Sequence, residues 1–590
     1  MSAKPFLSRS ITSLVPTLLA VLIAVPFSAA TASAQEATAS AQEATASAQG
    51  SAVLRALKSE MNRTMQELQS KPSPPYFLSY AVTETHTASV AASFGAIDGA
   101  TTSANRILDI DLRVGTHELD NTRSIRGVAF EMGRGGRSME LPMGNDERSL
   151  RAIVWIATDR SYKSAVERLG KVKTNLQVKV REEDTSSDHS KEKPTTFIQP
   201  FALQSFDTTE WRDKVRRLSA VCVGHPELYT GRVSLQYDQV VKYFVNSEGT
   251  VLQHVEPIVK MFVIVKTKAD DGMSLPLYRS YSAYSLDRLP SESAIRADLE
   301  SMIKQAIQLR TAPLAETYSG PAILSGRSAG VFFHEIFGHR AEGHRQKDAN
   351  SSQTFKAFLG KKILPSFIDV VFDPTQKTLG GTDIVGAFAY DDEGVPAQRV
   401  VAVKDGVFQN FLMSRSPIEG FPQSNGHGRR QPGLRPVSRQ SNLMVQAKIT
   451  VPYDSLRALL RKECLKQNKE YGLLFDDIQG GFTFTGRTVP NAFNVQPLVV
   501  YKIFADGRPD ELVRGVDLIG TPLTTFNNIV TAADDLGIFN GVCGAESGGV
   551  PVSASSPSLL VSTIEVQKKQ KSQAKPPILS DPTITNGGGQ

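Results

Sequence analysis

The chain has 590 residues and a formal net charge of +6, long enough for two or more domains with a sizeable core. Its composition is that of a folded globular protein, which argues against general disorder, and no basic run with interleaved aromatics supports nucleic-acid binding. Three cysteines, Cys222, Cys464 and Cys543, are too few and odd in number for a disulfide framework.

Lys4 and Arg9 precede an apolar run over 14–27, which Pro16 and Pro26 interrupt, and Ala32-Ser33-Ala34 follows as a small-x-small site. This pattern predicts a signal peptide over 1–34, removed before Gln35, and a periplasmic or secreted protein with no stable membrane insertion. Residues 34–40 read AQEATAS and 41–47 repeat it, so 35–50 is expected to be a low-complexity leader.

An N-terminal domain of strands and long helices is expected over 51–312. Ser51 caps a helix to about 71, with Leu54, Leu57, Met61, Met65 and Leu68 as its apolar stripe and Pro72, Pro74 and Pro75 to stop it. Strands follow over 76–83, 86–95 and 106–114, rich in β-branched and aromatic residues. Asp146 or Ser149 caps a second long helix to about 176. Residues 181–195 read as a polar loop. Strands then alternate over 232–237, 240–246, 251–259 and 260–267, with a turn at Ser247-Glu248-Gly249. Ser291 begins a helix to about 309, and the chain is expected to change domain near Pro313.

The second domain, 313–567, opens with a buried strand over Tyr318–Leu324. From 368 to 566 the chain is rich in glycine and strands, with turns expected at Asp405-Gly406, Gly480-Gly481 and Asp506-Gly507. This predicts a mostly antiparallel sandwich or barrel, crossed by one helix over 453–467 that holds Cys464. Cys464 and Cys222, the latter in an apolar strand, read as small core residues. The last residues, 568–590, read as a disordered tail. The fold class is therefore α+β, with a glycine-rich C-terminal β domain carrying one functional helix.

That helix lies in 325–345, which holds three of the nine histidines and contains His334-Glu335-x-x-x-His339. Imidazole suits zinc, and an adjacent glutamate can act on a zinc-bound water. The familiar zinc-protease helix spaces its histidines at i and i+4, about 40° apart, whereas i+5 places them about 140° apart. A shared ion therefore requires the helix to stop near Gly338 or to wind loosely there, as in a π-bulge. A zinc site that keeps one position for water needs a third protein ligand, and Glu342, His344 and Cys543 are the candidates. Asp391, Asp392 and Glu393 form an acidic turn, which on its residues alone reads as a solvated loop. Arg429 and Arg430 are candidate binders of carboxylates or carbonyls, or members of a plain surface loop.

The 325–345 stretch, Tyr390-Asp391-Asp392-Glu393-Gly394-Val395-Pro396, Gly480-Gly481-Phe482-Thr483-Phe484, and Gly541-Val542-Cys543-Gly544 followed by Val550-Pro551-Val552 together resemble the TldD/PmbA family of metallopeptidases. The resemblance covers most of 315–567. It implies zinc held by His334, His339 and Cys543, with Glu335 catalytic, and it places the acidic turn near the cleft as a candidate site for a peptide's terminal amine. PmbA-type partners lack the metal motif, so this chain resembles the catalytic TldD type, working as a homodimer or as a heterodimer with a PmbA-like subunit. Family members are usually cytoplasmic, and the N-terminal pattern here departs from that.

The function expected is an exported zinc metallopeptidase that hydrolyses short or unfolded peptides. Zinc lowers the pKa of bound water towards about 7 and polarises the peptide carbonyl, and Glu335 takes the water proton and passes it to the leaving amine. The rival readings are a non-catalytic metal-binding or partner-stabilising protein on the same fold, and a zinc hydrolase of a non-peptide amide.

Overall fold

Residues 50–125, 138–177, 184–347, 351, 353, 355–483, 493–520 and 522–569 are described by a computed structural model. The expected signal peptide, nearly all of the leader, and the tail beyond 569 lie outside the described residues.

Two long antiparallel hairpins form the first sheet. Pro75–Ser93 pairs with Ala96–Val114, and Thr230–Asn246 pairs with Val251–Lys268. The first strand of each hairpin joins them, and Ser274–Ala283 adds an edge. The expected pairs 76–83/86–95 and 232–237/240–246 are thus single strands, because polar residues such as Glu84, Thr85 and Asp238 continue the ladder instead of turning it. Period-two alternation buries Leu78, Tyr80, Val82, Val90 and Ala92 on one face, and Val233, Leu235, Tyr237, Val241, Tyr243 and Val245 beside them.

Four helices cover that apolar face. Ala52–Leu68 and Glu147–Gln177 seal one end, with Leu54, Leu57, Leu150 and Val154 buried. Thr208–Ser219 and Glu292–Thr311 seal the other, through Trp211, Val215, Ile295 and Leu299. Each fully buried side chain of this size contributes roughly 1.5–3 kcal/mol. Ser51 and Ser291 cap their helices as expected, accepting from Leu54 N and Ala294 N. The Thr208–Ser219 helix, capped by Asp207, was not anticipated, and it runs into a 3-10 turn at Ala220–Cys222 where a strand was expected. Cys222 is buried there, as is Cys464 in the helix Ser455–Lys466.

The second half builds two small two-stranded sheets and two large ones. One has six strands, among them Ile368–Phe372, Asn442–Ala447, Gly548–Ser556 and Gly537–Ala545 in that order, all antiparallel except the pairing of Asn442–Ala447 with Gly548–Ser556. The other has eight strands, five of which close on themselves: Tyr318–Leu324, Tyr471–Thr483, Phe493–Phe504, Val516–Gly520 and Leu559–Lys568. Gly480-Gly481 is not a turn but part of the strand Tyr471–Thr483, beside a register shift. Asp405-Gly406 and Gly507 do turn the chain, all at positive φ.

The helix Gly326–Ile336 lies between the two sheets, packing on Tyr471–Thr483 of one and on Gly537–Ala545 and Gly548–Ser556 of the other. Such close approach needs small residues. A Cβ on Gly330 would lie 2.9 Å from the Ala554 carbonyl oxygen, so glycine there lets the helix lie against strand backbone.

Candidate metal centre

The helix that carries the histidines stops where the i,i+5 spacing requires. It is α-helical from Gly326 to Ile336, Phe337 turns at φ −97°, and a 3-10 turn follows over Gly338–Arg340. Of the two expected devices, the chain uses termination and not a π-bulge. Gly338 serves differently from expectation: its role is space, since a Cβ there would overlap the Gln440 side chain. Arg340 donates to the Ile336 carbonyl at 2.8 Å, satisfying one of the helix's terminal acceptors.

The break brings the rings of His334 and His339 to 5.2 Å between centroids, inclined at 74°. Cys543 enters from the middle of Gly537–Ala545, where it pairs with Val550, and its Sγ lies 3.4 Å from His339 Nε2. One candidate ligand atom from each of the three residues lies within 4.8 Å of the others, and all three residues are buried. The donor types, two imidazole nitrogens and a sulfur, are ones that would suit zinc. Two further observations agree. Buried Nδ1 of His334 has no hydrogen-bond partner. Burial alone would push the Cys543 thiol up, but His339 and then His334 hold it well below the usual thiol value. Burial would likewise lower both imidazoles, and the Cys543 charge instead holds both up, His339 furthest. Glu335 follows His334 directly and is also buried.

The other two candidate ligands are engaged elsewhere. Glu342 is fully buried and accepts from His339 Nδ1 at 3.1 Å and from Arg345 Nε at 2.8 Å. It therefore orients one histidine and directs Nε2 of that ring towards Cys543, as an outer carboxylate does for a metal-bound histidine. His344 pairs with Glu546 at 2.7 Å.

Two supporting residues escaped the sequence reading. Arg439, fully buried, donates to the Cys543 carbonyl at 2.5 Å and to Ser547 Oγ at 2.7 Å. Gln440 donates to the His334 carbonyl at 3.2 Å. Both lie in Ser438-Arg439-Gln440-Ser441-Asn442, which composition marks as a loop and the fold buries throughout. No periodicity or motif signals that burial.

The acidic turn is built into the chain. Asp391 accepts from the backbone N–H of Glu393, Val395 and Gly428. Asp392 meets Lys242 Nζ at 3.1 Å and Arg430 N at 2.8 Å. Glu393 accepts from Arg415 N at 2.7 Å. Arg430 pairs with Asp109 of the first sheet at 2.6 Å, and Arg429 is buried beside Phe388.

Residues 317–568 match the model of the PmbA/TldA metallopeptidase C-terminal domain. A metalloprotease TldD homolog of Haemophilus influenzae is 27% identical over 344 residues, which is 57% of this chain and 66% of that protein. The chain belongs to the TldD/PmbA family. A zinc metalloprotease TldD homolog of Saccharolobus solfataricus is 25% identical over 46% of this chain and 56% of its own length. The match to each of these two family members thus spans less than two thirds of that relative. TldE from Thermococcus kodakarensis shares the fold, with a TM-score of 0.54, 13% identity, and coverage of 86% of this chain and 100% of that one.

Membership corrects the expected location. TldD relatives are generally cytoplasmic, and that is the finding against the export expected from the N-terminal pattern. The periplasmic or secreted assignment is withdrawn. A charged start, an apolar run and three small residues form too generic a pattern to outweigh the family.

Proposed function

We propose that this TldD/PmbA chain is a zinc metallopeptidase of the catalytic TldD type, acting on short or unfolded peptides. The observation that supports this most is the convergence of His334, His339 and Cys543, from parts of the chain some two hundred residues apart, with the buried Glu335 next to His334 in the chain. When bound, zinc supplies Lewis acidity at the peptide carbonyl and acidifies the attacking water. Glu335 takes the water proton and returns it to the leaving amine, a step worth about 10²–10⁴-fold. Glu342, through His339, and Arg439, through the Cys543 carbonyl, keep two ligands in place. A pure metal holder has no use for the Glu335 carboxylate, which favours the catalytic reading over the binding one. The likeness to TldE supports a second, PmbA-like subunit as one form of the assembly, with a homodimer as the other; light scattering of the protein alone and mixed with such a subunit separates them.

Peptide digestion followed by mass spectrometry tests the reading. Wild-type protein should cleave, lose cleavage to a chelator and regain it with zinc. Glu335→Gln should keep the metal and lose at least a hundred-fold in rate. Normal cleavage by Glu335→Gln would remove the mechanism.

A further inference from the structure

Arg429 ends the short strand Gly428–Arg429 and is 7% exposed. Its guanidinium carries five N–H donors. One hydrogen bond is made, from Nη1 to the Gln440 carbonyl at 2.6 Å, and the planar group lies over the Phe388 ring at 4.5 Å. No carboxylate of the described residues lies within ion-pairing distance of it. Its neighbours differ: Arg430 meets Asp109 at 2.6 Å, and Arg415 meets Glu248 at 2.8 Å. The acids that Arg429 senses at longer range, Asp392 and Glu256, are both held by Lys242, at 3.1 and 2.9 Å. A permanently charged group buried without a counter-ion is costly unless an anion completes it.

Its position says which anion. Gln440 links Arg429 to the metal-ligand cluster, because its carbonyl accepts from Arg429 while its side chain donates to the His334 carbonyl. The guanidinium is thus joined through Gln440 to the helix that carries His334, in the part of the fold where the peptidase reading puts the substrate. A planar guanidinium receives a carboxylate through two parallel hydrogen bonds.

We propose that Arg429 binds the terminal α-carboxylate of a short peptide, which makes peptides with a free C-terminus the substrate class. The proposal rests on the peptidase reading for the identity of the ligand but is tested by binding. Zinc-loaded Glu335→Gln protein is titrated calorimetrically with trialanine and with trialanine amide. The free acid should bind on the order of ten-fold or more tighter than the amide. Arg429→Met in the same protein should erase the difference, and Arg429→Lys, which keeps charge but not the fork, should keep part of it. Equal affinities for acid and amide, or no binding of either, would overturn the proposal, as would an undiminished preference in a folded Arg429→Met variant. Should Arg429→Met not fold, the acid–amide comparison in Glu335→Gln protein decides alone. Failure of the peptidase reading has a different signature: no chelator-sensitive cleavage by wild type, with the acid–amide difference still present.

Discussion

Glu342→Gln isolates the part of the centre that is not itself a ligand. The carboxylate is fully buried and holds His339 Nδ1 at 3.1 Å and Arg345 at 2.8 Å, with Arg439 Nε 3.6 Å away. Burial pushes this carboxyl up, but His339 and Arg345 hold it at about 2, so it is charged throughout the physiological range. Glutamine keeps the shape and one acceptor while losing the charge. One hydrogen bond to a charged group is worth about 1.5–3 kcal/mol, and Arg345 retains Glu546 at 2.8 Å. The expected loss of stability is therefore about 2–4 kcal/mol. Zinc affinity should fall about 10–100-fold, as it does when the outer partner of a ligating histidine is removed. Chelator competition gives the affinity, and urea unfolding of the metal-free and zinc-loaded protein gives the stability. Wild-type zinc affinity in a folded Glu342→Gln protein would refute the reasoning, because it would mean that His339 holds its orientation without the carboxylate.

Gly330→Ala should cost about 1–3 kcal/mol by thermal unfolding, since the added Cβ meets the Ala554 backbone oxygen at 2.9 Å and the helix must shift; an unchanged melting temperature would mean that the helix is not held that close. Burial pushes the Glu393 carboxyl up to about 7 from an ordinary 4.5. Its folded-state pKa is raised, so its contribution is fully present below about pH 4.5 and is lost as pH rises through 7. Urea unfolding between pH 5 and 8 should show a shallower decline for Glu393→Gln than for wild type, and parallel curves would exclude the group as the cause.

Much of this was readable without coordinates, for definite reasons. Capped amphipathic segments announce themselves, so the helices at Ser51 and Ser291 fall where expected. The i,i+5 histidines demand a broken helix by geometry alone, and the chain breaks it at Ile336. Long strands were less legible, because polar residues such as Glu84 and Asp238 look like turns when the face they occupy is unknown. The choice among Glu342, His344 and Cys543 as the third member of the cluster could not be made from spacing, since Cys543 arrives by strand pairing from a remote part of the chain. The buried run from Ser438 to Asn442 has loop composition, and only tertiary contact reveals that Arg439 and Gln440 support the centre.

An anomalous-difference map collected at the zinc edge, from crystals of zinc-loaded wild-type protein, tests the central claim most directly. A single peak in contact with His334, His339 and Cys543, absent from crystals of Cys543→Ser grown at the same zinc concentration, is the result predicted. A peak elsewhere, or one that Cys543→Ser leaves undiminished, would contradict it.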